Sequence, residues 1–185
     1  MPTESVQLAL AAWRAAGLGH GGIYLSTPIT TGLEAYRLVE RLRADDFEAA
    51  RKRHPDLWAS VVQKPNEDSA EKAAGALRKA NRGLVVVNPA AVHITGWHQP
   101  DYDHLWSSLL NTFRPQVAVM DGWQFSRGAR LEIALAIAAG LPVTDQRERP
   151  MSTEELSDIA ASADATINST HLWSSYAETL PDITG

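Results

Sequence analysis

Cysteine is absent from the 185 residues, which excludes disulfides, thiolate metal sites and a cysteine nucleophile. No apolar run approaches the roughly 20 residues of a membrane span. Residues 1–18 lack the basic, apolar and small-residue order of a secretory leader. Surplus positive charge is missing as well: 17 Lys and Arg face 22 Asp and Glu, for a net charge of −5. Nonspecific nucleic-acid binding needs the opposite balance. The chain carries neither a Walker motif nor Gly-x-Gly-x-x-Gly, so a nucleotide cofactor is unsupported and no cofactor is expected. His93, His98 and His104 show no ligand spacing with a partner acid, so no metal is expected. A Gly-x-Ser-x-Gly elbow is also lacking. What remains is a cytoplasmic, globular protein acting on a small molecule, with neither nucleic acid nor membrane as partner. A phosphorylated ligand fits this frame, because a helix N-terminus binds phosphate without a basic surface.

With 44% hydrophobic and 21% charged residues, the chain suits one domain over residues 1–185. No internal repeat, linker or low-complexity stretch divides it. Apolar periodicity predicts helices over 5–16, 33–43, 45–53, 67–81, 102–113, 127–139 and 152–163, with a further one in the tail over 167–179. Ser152 followed by Thr153-Glu154-Glu155 marks a helix start. Strands are expected at 23–26, 83–87, 116–120 and 141–144, and a fifth at 58–62. The alternation implies a three-layer α/β domain of Rossmann or flavodoxin type, with about five mainly parallel strands and helices on both faces. Such sheets bind ligands at the carboxyl ends of their strands. The loops leaving those ends, 26–32, 88–103 and 121–128, are also the richest in polar residues and glycine.

Glu132 is the only charge in the run 131–143, which otherwise reads as a buried helix entering a strand. Negative charge near a helix N-terminus gains a few tenths to ~1 kcal/mol from the dipole, whereas burying an unpaired carboxylate costs several kcal/mol. Glu132 is therefore either a surface glutamate paired with Arg127 or Arg130, or a placed reactive group with specific partners. Ser126 and Gly128 sit where strand turns to helix. Ser126 is a plain N-cap, part of an anion site built with free backbone N–H groups, or both.

Tyr24 lies between Ile23 and Leu25 in the first strand. It is either a core aromatic or a phenol reaching a carboxylate at the end of a neighbouring strand, which it would orient by a charge-assisted hydrogen bond. Asp101 and Asp103 flank Tyr102 and either cap the helix that follows or supply a general acid. Trp97, His98 and Tyr102 are candidates to stack on a base, with loop anchoring as the alternative.

The stretches 23–32 (Ile-Tyr-Leu-Ser-Thr-Pro-Ile-Thr-Thr-Gly), 85–89 (Val-Val-Val-Asn-Pro) and 126–132 (Ser-Arg-Gly-Ala-Arg-Leu-Glu) together resemble the nucleoside 2-deoxyribosyltransferase superfamily. That superfamily includes the 2-deoxynucleoside 5-phosphate N-hydrolases and cytidylate N-glycosidases, and the similarity spans residues 21–145. The resemblance implies a Rossmann-like fold and cleavage of an N-glycosidic bond. Glu132 matches the glutamate that attacks the anomeric carbon, and Tyr24 the tyrosine bonded to it. Ser126 matches a serine that binds the 5-phosphate, and Gly128 the glycine whose N–H joins it. Arg127, Thr27, Ile29, Thr30 and Asn88 complete the substrate positions expected in the matching loops. The family's acid, an aspartate, falls here on Ser107 or Ser108, and Asp103 lies about one turn earlier on a similar helical face. Family members are usually dimers or larger, and Trp173 and Tyr176 of the tail are candidates for such a contact.

The leading expectation is therefore an N-glycosidase that releases the base of a nucleoside 5-monophosphate and leaves a (deoxy)ribose 5-phosphate. Two alternatives stay open. One is a deoxyribosyltransferase that passes the sugar to a second base. The other is a non-catalytic nucleotide sensor, suggested by the serines at the acid position.

Overall fold

A computed structural model describes residues 2–19, 21–168 and 183. The first helix, α1 (Pro2–Ala15), precedes β1 (Ile23–Ser26). A helical excursion follows through α2 (Leu33–Leu42), α3 (Phe47–Arg53), α4 (Pro55–Trp58) and α5 (Lys64–Ala80) before β2 (Val86–Val87). The chain then alternates through α6 (Gln99–Phe113), β3 (Gln116–Val119), α7 (Arg127–Ala138), β4 (Val143–Asp145) and α8 (Thr153–Asn168). Beyond Asn168, the expected tail helix lies outside the described residues, as do Trp173 and Tyr176.

Among the described residues the sheet has four strands, all parallel, in the order β2-β1-β3-β4. Tyr24 pairs in register with Val87 on one side and Val117 on the other, and Ser26 with Val119. Side-chain alternation then sorts the core. Tyr24, Val87, Val117 and Val119 pack under α1, α6 and α7. Ile23, Leu25, Val86 and Ala118 pack under α5. This is the α/β, Rossmann/flavodoxin-like arrangement, with helices on both faces. Chain connections leave β1 and β3 in opposite directions, so the crevice for a ligand opens between these two strands.

The strand expected at 58–62 does not form, which reduces five strands to four. Trp58 and Val62 are both buried, four residues apart on one helical face, and pack with Tyr36 and Phe47. Residues Ala59–Gln63 form a π-turn in which the Lys64 N–H donates to the Ala59 carbonyl. Pro65 explains the widening: it has no N–H for the carbonyl four residues back, and its ring clashes with that carbonyl in ordinary α geometry. A short apolar run bounded by polar residues fits helix and strand equally well in sequence, and here the helix wins by packing.

Two struts hold the elements that carry the cleft. Asn66 donates its amide to the carbonyls of Ile29 and Thr31 at 3.0 and 2.8 Å, tying α5 to the loop after β1. Arg130, only 2% exposed, donates to the carbonyls of Gln124 and Ala160 and to Asp164 at 2.6, 3.2 and 2.7 Å, tying α7 to α8. Replacing Arg130 with Ala removes all three bonds and strands buried carbonyls. The expected loss is about 2–3 kcal/mol, read as a lowered urea midpoint, and an unchanged midpoint would refute the strut.

Candidate active site

Glu132 is buried on α7, at 9% exposure, and both its oxygens are held. The Tyr24 hydroxyl donates to Oε1 at 2.6 Å and the Ser26 hydroxyl to Oε2 at 2.7 Å. Both donors come from β1. Residues two apart on a strand share a face, so one strand end presents two hydroxyls to one carboxylate. Neither arginine weighed as a partner contacts Glu132: Arg130 turns to α8, and Arg127 pairs with Asp103 at 3.0 Å. The surface-glutamate reading is thereby excluded.

Burial pushes the Glu132 carboxyl up to about 7; the two hydroxyl bonds pull against this and the charge of Asp103 adds to it. The Tyr24 phenol is also pushed well above its ordinary value, by burial first and then by Glu132. It stays protonated and acts as a donor. Its ring is braced by Trp106, with centroids 5.8 Å apart.

In front of Glu132 lies a cavity of about 420 Å³, within the range of small-molecule sites. All three loops at the strand ends contribute to it. Thr27, Ile29, Thr30 and Thr31 come from the first, Pro89, Val92 and His93 from the second, and Ser126 from the third, beside Arg127 and Gly128 of α7. Tyr102, Asp103 and Trp106 of α6 close one side. Phe47, Arg51, Trp58, Gln63 and Glu67 form the opposite wall.

Ser126 serves as N-cap, its oxygen accepting the Ala129 N–H at 3.4 Å, and it also accepts from the Thr31 hydroxyl at 3.1 Å. The N–H groups of Arg127 and Gly128 have no partner among the described residues, and a Cβ at Gly128 would meet only open space. A capped helix start with two free N–H groups facing a cavity suits an anion.

Asp103 lines the cavity, whereas Ser107 and Ser108 do not. The Ser107 hydroxyl is engaged by the Asp103 carbonyl at 2.6 Å. Helix α6 starts three residues earlier than expected, at Gln99, with Asp101 accepting the His98 N–H at 2.8 Å. Asp101 is thus a cap, and Asp103 stands free of that duty, one turn inside. Its carboxylate accepts from Arg127 and from the Gln99 amide at 2.8 Å.

Three expected substrate positions fall outside the cavity. Asn88 accepts the Ala90 N–H at 3.1 Å and donates to Glu71, so it shapes the turn after β2. Trp97 packs edge-on against Tyr102, centroids 5.3 Å apart, and anchors its loop. His98 sits exposed at the N-cap of α6. Sequence reading missed Ser26, although strand alternation from Tyr24 points to it. It also missed Trp58, Gln63 and Glu67. Trp58 is 1% exposed, lines the cavity, and its indole N–H has no acceptor among the described residues. A buried donor without a partner costs about 1–3 kcal/mol unless a ligand meets it. Among the described residues, no group of three His, Asp or Glu could hold a metal ion, and no helix is long and apolar enough to cross a membrane.

A family model described as "Domain of unknown function (DUF4406)" matches residues 60–145, under half of the chain. The matched stretch carries Gln63, Glu67, Asp103, Ser126 and Glu132 but leaves out β1 with Tyr24 and Ser26. No curated protein and no solved structure matches the chain.

The raised Glu132 carboxyl has a consequence for stability. Between about pH 4.5 and 7 the folded protein holds a proton that the unfolded chain has released. Stability therefore falls as pH rises through that window, by about 3 kcal/mol for a shift of this size, and no penalty is present below it. Urea titrations at pH 4.5 and 8 should show that fall in the wild type and a much flatter response in Glu132→Gln; parallel profiles would contradict the assignment.

Proposed function

We propose that this protein cleaves the base–sugar bond of a nucleoside 5-monophosphate, giving free base and (deoxy)ribose 5-phosphate. The observation that carries the reading is a buried carboxylate gripped by two hydroxyls at the edge of a nucleotide-sized cavity. An N-glycosidic bond breaks through an oxocarbenium-like state, and a carboxylate at the sugar face stabilises that charge and can trap the carbon as an ester. Tyr24 and Ser26 fix the direction of the Glu132 oxygens. They leave each oxygen a further lone pair for the anomeric carbon.

The cradle at Ser126, Arg127 and Gly128 takes the 5-phosphate, and Thr27, Ile29 and Thr30 border the sugar. In this reading the ring of the base lies against aromatic wall, and the orphan N–H of Trp58 meets an acceptor on the ligand. The same resemblance that suggests the chemistry suggests a homodimer or larger assembly working on free nucleotides in the cytoplasm. Belonging to the nucleoside deoxyribosyltransferase-like superfamily is part of the proposal. It is supported by Ser126 and Glu132 lining one cavity, with Tyr24 bonded to Glu132 behind it.

The decisive experiment incubates the protein with a panel of ribo- and deoxyribonucleoside monophosphates and reads free base by chromatography. Release from at least one is expected. Glu132→Gln and Glu132→Ala should lower it by about 10⁴-fold or more while the fold persists, and retained turnover in the Ala variant would exclude a covalent role. Tyr24→Phe loses one charge-assisted bond and should cost about 10- to 100-fold. Ser126→Ala should raise KM for monophosphates about 10-fold and leave nucleosides nearly unchanged. Because the nucleophile must be ionised, kcat/KM should climb with pH and level off above about 7.

A second panel adds a free purine or pyrimidine. Formation of a new nucleoside would favour base exchange over hydrolysis. Tight nucleotide binding with no base release would favour a sensor.

A further inference from the structure

Arg127 links the two halves of the site. Its backbone N–H belongs to the anion cradle on α7, and its guanidinium is spent on Asp103 of α6, 3.0 Å away across the cavity rim. Both side chains line the same cavity. The arginine side chain is 44% exposed and free to turn, whereas that of Asp103 is more enclosed, at 21%. An ion-paired aspartate is a poor proton donor, yet no other described carboxyl group stands beside Glu132.

Accepting the nucleotide reading, we infer that a phosphate bound at Ser126–Gly128 draws Arg127 away from Asp103 and converts Asp103 into the proton donor for the departing base. A phosphate carries nearly two negative charges at neutral pH and offers the guanidinium a bidentate partner. Deprived of its cation, Asp103 keeps only the Gln99 amide, and its charge acts on Glu132 of α7 and on the phenol of Tyr24. His93 lies on the adjoining wall, and Arg51, Glu48 and Glu67 on the far one. Two carboxylates sharing an enclosed site cannot both stay ionised cheaply, so one takes a proton. A proton on Asp103 removes the charge that adds to the rise at Glu132, and leaves the Glu132 carboxylate, with its two hydroxyl donors, as the anion of the pair.

The step balances. As the C–N bond breaks, its electron pair goes to the base nitrogen, which takes the Asp103 proton, and a Glu132 oxygen bonds to the anomeric carbon. Water then attacks that carbon, Glu132 leaves as carboxylate, and Asp103 recovers a proton from the water. An unphosphorylated nucleoside would leave Arg127 in place and Asp103 unarmed.

The test uses the full protein and inorganic phosphate as probe. The Asp103 carboxyl carbon is followed by NMR titration, with Asp103→Asn to assign its signal and Glu132→Gln to separate the neighbour. Phosphate should raise the Asp103 midpoint by about one pH unit or more. In Arg127→Gln the midpoint should start high and ignore phosphate. Base release from a nucleoside should rise at least about 10-fold with added phosphate in the wild type and not in Arg127→Gln. Phosphate binding, seen by its own resonance, with an unmoved Asp103 overturns the inference, as does failure of phosphate to bind. If Asp103 responds but no monophosphate ever loses its base, the linkage stands and the glycosidase reading falls. Base release with an unresponsive Asp103 leaves the reverse.

Discussion

The grip of two β1 hydroxyls on the Glu132 carboxylate is the constraint around which the rest of the molecule is arranged. A buried carboxylate costs several kcal/mol if left alone, and here it receives one charge-assisted bond at each oxygen. Supplying both from one strand requires Tyr24 and Ser26 on the same face, at the carboxyl end of β1. It also requires β1 to lie between β2 and β3, so that neighbouring strands fix its register. Helix α7 must then be set at the right height, which is the work of the Ser126 cap at its start and the Arg130 strut to α8. The raised proton affinity of Glu132 is the residue of an incomplete compensation: burial outweighs the two bonds.

The alternation of strands and helices was legible in the sequence because buried parallel strands and amphipathic helices carry different periods. The strand at 83–87 and the helix at 127–139 were legible on that basis, although the strand is confined to Val86–Val87, with Gly83 and Leu84 in the turn before it. Residues 58–62 were not, because a five-residue apolar stretch has no period to measure. The deciding influence was a proline three residues past its end, together with contacts to Tyr36 and Phe47 in preceding helices. For the site, one glutamate in an apolar helix was visible as an anomaly, and the strand tyrosine as a possible partner. Their meeting depends on the crossing of β1 and α7, which no local pattern encodes. The reassignment of Trp97 and His98 from ligand contact to loop and helix ends follows from α6 starting at Gln99. Pro100 marks a helix's first turn, and reading it as loop moved the boundary and the aromatic wall with it.

The cleft has two walls of different character. On one side α6 and α7 present the groups that would handle charge: Asp103, Arg127 and Glu132. On the other, the α4–α5 helix presents Trp58, Gln63 and Glu67, an indole, an amide and a carboxylate suited to reading the edge of a ring. Ser126, bonded to Thr31, and Asn66, bonded to the loop carrying Thr31, connect the two walls. Anything that shifts the loop after β1 therefore acts on both at once.

The wide turn at Ala59–Gln63 sets the facing of the second wall. A π-turn amounts to one extra residue taken up locally within a helix. The helix on either side therefore keeps its phase, and Trp58 and Glu67 look into one cavity from the two sides of the interruption. A residue added between them without such a bulge would turn the two side chains about 100° apart.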